Sequence, residues 1–174
     1  MNGKTSVLFV CMGNICRSPT AQGVFEKVLD EEGLRAVVEV DSAGTHAYHV
    51  GEPPDQRAQE TARQRGVDLG SQRARRFAPE DFSRFDYILV MDEDNLSVLE
   101  AGCPPEHRAK LSLLMDFAPG STAREVPDPY YGGRHGFDRV FNLVEEAARG
   151  LVSDIRQRQR ENKHSQLGSD ATGS

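Results

Sequence analysis

The sequence predicts an α/β fold, a parallel sheet with helices on both faces. Three observations carry this expectation. The runs at 7–10 and 87–91 are apolar at every position rather than at alternate ones, which suits strands buried on both faces. Longer stretches between such runs repeat apolar residues at helical spacing. The two patterns also alternate along the chain, the order that gives parallel pairing through crossover helices.

The first strand covers 5–10, a β-branched and apolar run. Ser18 then reads as a helix N-cap, because its hydroxyl accepts from a free backbone N–H, and Pro19 as the first helical position. Ala21, Val24, Phe25, Val28 and Leu29 recur at helical spacing until Gly33. A second strand covers 37–40 and runs into Asp41-Ser42-Ala43-Gly44. After the loop Gly51-Glu52-Pro53-Pro54, a polar helix spans about 55–65 and stops at Gly66. A third strand covers 87–91, a helix follows over 92–101, and a weaker fourth strand covers 109–114. From His135 onward, Phe137, Phe141, Val144, Ala148, Leu151 and Ile155 step by four and three, the stripe of one long helix. Past Lys163 the chain is polar and low in bulk. The expected organisation is one folded domain over 1–162 and a disordered polar tail over 163–174.

Composition narrows the function classes. A net charge of −6 argues against nucleic acid as a partner, since backbone phosphates are bound by excess Lys and Arg. Arg73, Arg75 and Arg76 form a local basic cluster that reads as a solvated face. No apolar run approaches the roughly 20 residues of a membrane helix, and the run at 6–12 is too short for a signal-peptide core, so no membrane association and a cytoplasmic location are expected. Three cysteines, Cys11, Cys16 and Cys103, do not suggest a disulfide framework. His46 and His49 lack the further ligands of a zinc site, so no metal is expected.

The chemistry concentrates between the first strand and its helix, in Cys11-Met12-Gly13-Asn14-Ile15-Cys16-Arg17-Ser18. A loop ending at a helix N-terminus aims free N–H groups at one point, where the helix dipole adds partial positive charge. A tetrahedral phosphate fits such a nest. Arg17 would close the ring with two parallel donors. Gly13 permits close backbone approach, and Asn14 tolerates a left-handed turn. The same donors favour Cys11 as a thiolate nucleophile, with the Ser18 hydroxyl in reach of the sulfur. No Gly-Lys-Ser/Thr closes a glycine loop, which excludes a Walker-type nucleotide site.

A nucleophile needs an acid for the leaving group. The candidate is Asp128 in VPDPYYGG, held between Pro127 and Pro129, with Tyr130 and Tyr131 as flat walls for an aromatic leaving group. A Pro-Asp-Pro turn ahead of the final helix accounts for the same segment.

CMGNICRS resembles the signature loop of the low-molecular-weight protein tyrosine phosphatases, and Asp128 to Tyr131 resembles that family's general-acid loop. DSAGT from Asp41 and MDEDN from Met91 match as well. The resemblance covers about residues 5–155. It implies a flavodoxin-like four-stranded parallel sheet and hydrolysis of phosphotyrosine in proteins through a cysteinyl-phosphate, without metal or organic cofactor. It makes Cys11 the nucleophile, Arg17 the phosphate clamp and Asp128 the acid and then the base. Met12, Gly13, Asn14, Ile15, Cys16 and Ser18 would surround the phosphate. Asn14 and Ser42 would brace the loop, and Tyr48, Tyr130 and Tyr131 would line the pocket. Cys16 matches a second loop cysteine able to form a protective disulfide with the nucleophile. The implied partner is a tyrosine-phosphorylated protein; Tyr130 and Tyr131 could also be targets of a cognate tyrosine kinase, a role that ranks behind that of pocket walls. Gln72 stands where several members have a histidine in the loop network, and Tyr48 where others have Trp at the rim. A related fold with the same loop reduces arsenate, but it passes a disulfide along a further close cysteine pair, which Cys103 alone does not supply.

Overall fold

A computed structural model describes residues 4–130 and 133–172, so the expectation for Tyr131 lies outside the described residues. Four strands, β1 (Thr5–Cys11), β2 (Val38–Gly44), β3 (Tyr87–Val90) and β4 (Leu111–Leu113), form one sheet in the order β2-β1-β3-β4. All pairings are parallel. This is the expected four-stranded, flavodoxin-like arrangement. The helices are α1 (Arg17–Glu31), α2 (Gln56–Gln64), α3 (Asp81–Arg84), α4 (Glu93–Gly102) and α5 (Arg134–Thr172).

The uniformly apolar strands explain the two-faced core. In β1, Val7, Phe9 and Cys11 face one way and pack with Val24 and Phe25 of α1, Ala58 and Ala62 of α2, and Phe141, Val144 and Leu151 of α5. Leu8 and Val10 face the other way and join Ile88, Val90, Phe82 of α3 and Leu99 of α4. Burying each such large side chain contributes about 1.5–3 kcal/mol. Helix α5 sits close enough to the turn Leu114–Phe117 that a Cβ on Gly150 would fall 1.8 Å from the Phe117 carbonyl oxygen. Any side chain there would lift α5 off the sheet.

Several boundaries differ from expectation for identifiable reasons. Strand β2 continues to Gly44 because Cys11 pairs with Gly44 and the polar Asp41 and Ser42 find partners across the sheet end. Strand β4 is only three residues, bounded by 3-10 turns at Pro105–Lys110 and Leu114–Phe117. Ser18 is not a cap: α1 starts at Arg17 with Cys16 at the N-cap and no side-chain cap bond, because the Ser18 hydroxyl is drawn to Cys11. Asp55 and Asp92 do cap α2 and α4, accepting from Arg57 N and Asn95 N. The short α3 was not expected from its sequence. Helical backbone in α5 runs to Thr172.

Candidate active site

The site lies past the C-terminal end of β1, where the chain places β2 on one side and β3 on the other, the switch point at which open α/β sheets bind ligands. Residues between Cys11 and Arg17 form a tight loop pinned from inside. Asn14 has φ of 58°, the only positive value at a non-glycine residue among the described residues. That conformation costs on the order of 1–3 kcal/mol, and the Asn14 side chain offsets it. Its Nδ2 donates to Ser18 Oγ (2.8 Å) and Ser42 Oγ (3.0 Å), and its Oδ1 accepts from Arg75 N (3.0 Å). Gly44 must stay bare, since a Cβ there would sit 2.8 Å from the Met12 carbonyl oxygen.

The Cys11 sulfur is the point on which this network converges. Ser18 Oγ lies 3.0 Å from Sγ, and Asn14 N donates to Sγ at 3.3 Å. Ser18 Oγ also accepts from Asn14 Nδ2, which leaves its own proton available to a Cys11 thiolate. Gln72 belongs to the same network: its Oε1 accepts from Ser42 Oγ at 3.5 Å and its Nε2 donates to the Pro19 carbonyl at 2.9 Å. It braces the loop as an imidazole would, through one acceptor and one donor.

Arg17 is 3% exposed. Its Nη1 donates to Asp92 Oδ2 (2.6 Å) and to the Val126 carbonyl (3.0 Å), while Nη2 lies 3.9 Å from Asp128 Oδ2. Burial alone would weaken its hold on the proton. Cys11, Asp92 and Asp128 more than offset this and raise its pKa above the ordinary arginine value. Asp128 remains about one-third exposed, and its Oδ1 accepts from Tyr130 N at 3.0 Å. A cavity of about 200 Å³ opens over the loop, lined by Cys11, Met12, Gly13, Ile15, Cys16 and Arg17 together with Tyr48, His49, Asp128 and Tyr130. A larger cavity of about 590 Å³ lies at the opposite end of the sheet, by Lys4 and Tyr87, with no thiol in its wall. Chemistry, not volume, identifies the site.

The structure thus brings Cys11, Arg17, Asp128, Tyr48, Tyr130 and the loop residues to one cavity, with Ser18, Asn14 and Ser42 behind it. Tyr48 is 71% exposed and stacks on His46, ring centroids 5.2 Å apart. The Cys16 thiol is pushed well up, chiefly by burial and then by the acidic Asp55. Cys103 lies past α4, bonded to the Pro104 carbonyl and outside this cavity. Among the described residues no three His, Cys, Asp or Glu side chains converge as metal ligands.

One reading of the arginine cluster is corrected. Arg75 is not part of a solvated face: its Nε donates to Asp41 and its Nη1 and Nη2 to Asp81, and its backbone N–H donates to Asn14 Oδ1. Sequence reasoning also left out Asp92 and His49. Asp92 caps α4 through Oδ1 and holds Arg17 through Oδ2. An aspartate directly after a buried strand was the available signal. His49 lies against Gly13 with its Nδ1 2.7 Å from Glu52 Oε2.

Comparison with known proteins places this geometry in context. The family model described as low molecular weight phosphotyrosine protein phosphatase matches residues 6–162. A low molecular weight phosphotyrosine protein phosphatase of Schizosaccharomyces pombe is 43% identical over 156 residues, 89% of this chain and 99% of that protein. The human protein of that name is 40% identical over 149 residues, 84% of this chain and 93% of that one. A crystal structure of a protein tyrosine phosphatase from Entamoeba histolytica, with Hepes in its active site, superposes with a TM-score of 0.87 at 39% identity, covering 90% of this chain and 99% of that one.

Proposed function

The chain belongs to the low molecular weight phosphotyrosine protein phosphatase family, and we propose that it hydrolyses phosphotyrosine in proteins, and small aryl phosphates, through a cysteinyl-phosphate. The observation that carries this is the position of Cys11 Sγ. It lies 3.0 Å from Ser18 Oγ and 3.3 Å from Asn14 N, in a cavity shared with Asp128 and the buried Arg17.

The phosphate dianion sits in the loop amides of residues 12–17 and is clamped by Arg17, whose Nη1 is already fixed by Asp92. The Cys11 thiolate attacks phosphorus. The S–P bond forms as the P–O bond to the tyrosyl oxygen breaks, and Asp128 gives its proton to that oxygen. Fixed N–H donors stabilise the charge on the equatorial oxygens without having to reorganise. Water then attacks phosphorus, Asp128 takes its proton, and the S–P bond breaks to return the thiolate. Ser18 stabilises that leaving sulfur through its hydroxyl. Tyr48 and Tyr130 flank the aromatic ring of the substrate, and Ser42 and Asn14 keep the loop in its high-energy turn.

Acid-quenching turnover with phosphorus-labelled substrate should leave label on Cys11. Steady turnover with no labelled protein at any quench time would exclude the covalent route. Cys16 is proposed as a resolving thiol: peroxide oxidises Cys11 to the sulfenic acid, and the Cys16 thiol displaces water to form a disulfide. Burial keeps the Cys16 thiol protonated near neutrality, so in the reduced protein it should resist alkylation at about pH 7.5, and after oxidation the disulfide leaves no thiol there to alkylate. Inactivation that thiols cannot reverse would rule this role out. A cytoplasmic, tyrosine-phosphorylated protein is the proposed substrate, and a tyrosine kinase the proposed second partner.

A further inference from the structure

The acid loop reaches the cavity from outside, and a single surface side chain bridges the elements around it. Arg57, in the first turn of α2, is locked by its own N-cap: Asp55 Oδ1 accepts from Arg57 N (2.8 Å) and Nε (3.1 Å), and Asp55 Oδ2 accepts from Nη2 (3.0 Å). Burial alone would raise the Asp55 pKa, but the bonds from Arg57 outweigh it and lower it below the ordinary carboxylate value. The same Asp55 donates its backbone N–H to the Ile15 carbonyl at 2.8 Å, which ties this capping unit to the phosphate loop. The guanidinium thus held flat lies 4.8 Å from the Phe137 ring centroid in α5 and 5.5 Å from that of Tyr130. Tyr130 in turn gives its backbone N–H to Asp128 Oδ1.

We propose that Arg57 is a positioning residue for the general acid: it seats the Tyr130 ring against α2 and α5 and thereby sets Asp128 over Cys11. This rests on Asp128 being the acid. The physical basis is the planarity of guanidinium, which lets one face meet an aromatic ring while the edge donors stay on a carboxylate. Lysine supplies the charge without the plane or the fork. Because Arg57 and Asp55 are linked to Ile15 only through backbone, the nucleophile and the phosphate nest keep their own network when the guanidinium is removed. Arg57 hydrogen-bonds to Asp55, and its path to Asp128 runs through Tyr130.

The test measures kcat and KM for a series of aryl phosphates of graded phenol acidity, in the wild-type protein, Arg57→Ala, Arg57→Lys and Asp128→Ala, with vanadate inhibition alongside. Arg57→Ala should slow substrates with poor leaving groups about fivefold, and those with acidic phenols less than twofold. Vanadate affinity should stay within about twofold, since the nest is untouched. Arg57→Lys should recover less than half of the lost rate. A uniform loss across the series in Arg57→Ala, while Asp128→Ala shows a steep one, would remove the positioning role and leave the acid assignment standing. Uniform losses in both variants would remove both. Full recovery in Arg57→Lys would show that charge alone suffices and would overturn the stacking basis.

Discussion

The loop over 11–18, proposed to bind phosphate, and the loop over 126–130, proposed to carry the acid, face the same cavity but are built differently. In the first, Asn14, Arg17 and Ser18 are each no more than 3% exposed, and each has a fixed partner: Asn14 and Ser18 within the loop and on Ser42 of β2, Arg17 on Asp92 and the Val126 carbonyl. In the second, the Val126 end is buried and anchored, by its N–H to the Met91 carbonyl at 2.8 Å and by its carbonyl to Arg17. Beyond it Asp128 and Tyr130 are over a third exposed. The difference teaches a division of labour. Groups that stabilise charge must be fixed before substrate arrives, because reorganising them would cost the energy they are meant to supply. A group that delivers a proton and then takes one from water must stay in exchange with solvent.

The sharpest break in this comparison is Cys11→Ser, which should lower kcat by about 10,000-fold or more while phosphate and vanadate still bind. Isothermal titration separates the two effects, and loss of binding in step with rate would contradict a nest that works independently of its nucleophile. Next in size is Asp128→Ala, which should slow poor leaving groups by about 100- to 1,000-fold and acidic phenols by less than tenfold. A flat leaving-group plot would place the acid elsewhere. It should leave thermal stability nearly unchanged, because a loop carboxylate more than a third exposed holds little of the fold. Asn14→Ala should show the reverse balance. Alanine bears the left-handed turn poorly and leaves Ser18, Ser42 and Arg75 N without their shared partner, so urea unfolding should report a loss of about 2–3 kcal/mol. The rate should fall about tenfold, evenly across leaving groups. A rate loss confined to poor leaving groups would mean that the two loops are coupled more tightly than their separate networks indicate.

Legibility in the sequence followed the range of the interaction. Strand β1, helix α1 and the loop between them were legible because their determinants lie within a few residues: an apolar run, a Gly-Asn turn, a cysteine and an arginine six positions apart. The place of Arg17 beside Cys11 was legible, but not that Asp92, 75 residues away, would fix one of its nitrogens. Asn14 was expected to take a left-handed turn and does, with φ of 58°. Its support from Arg75 N crosses 61 residues, and the arginine cluster read as solvated because charge runs carry no record of their partners. Ser18 misled as an N-cap for a related reason: the same residue type serves a backbone N–H or a thiol, and only the position of Cys11 decides between them.

The sequence by itself determined the alternation of strand and helix, the sheet buried on both faces and the loop from Cys11 to Ser18, since hydrophobic period and turn chemistry are local properties of the chain. Tertiary structure alone decided which carboxylate holds Arg17, how Gln72 and Ser42 brace the loop and where Arg57 meets Tyr130. Those pairings depend on strand register and on how helices seat against the sheet. Register is set by the packing of the whole core rather than by any segment of it.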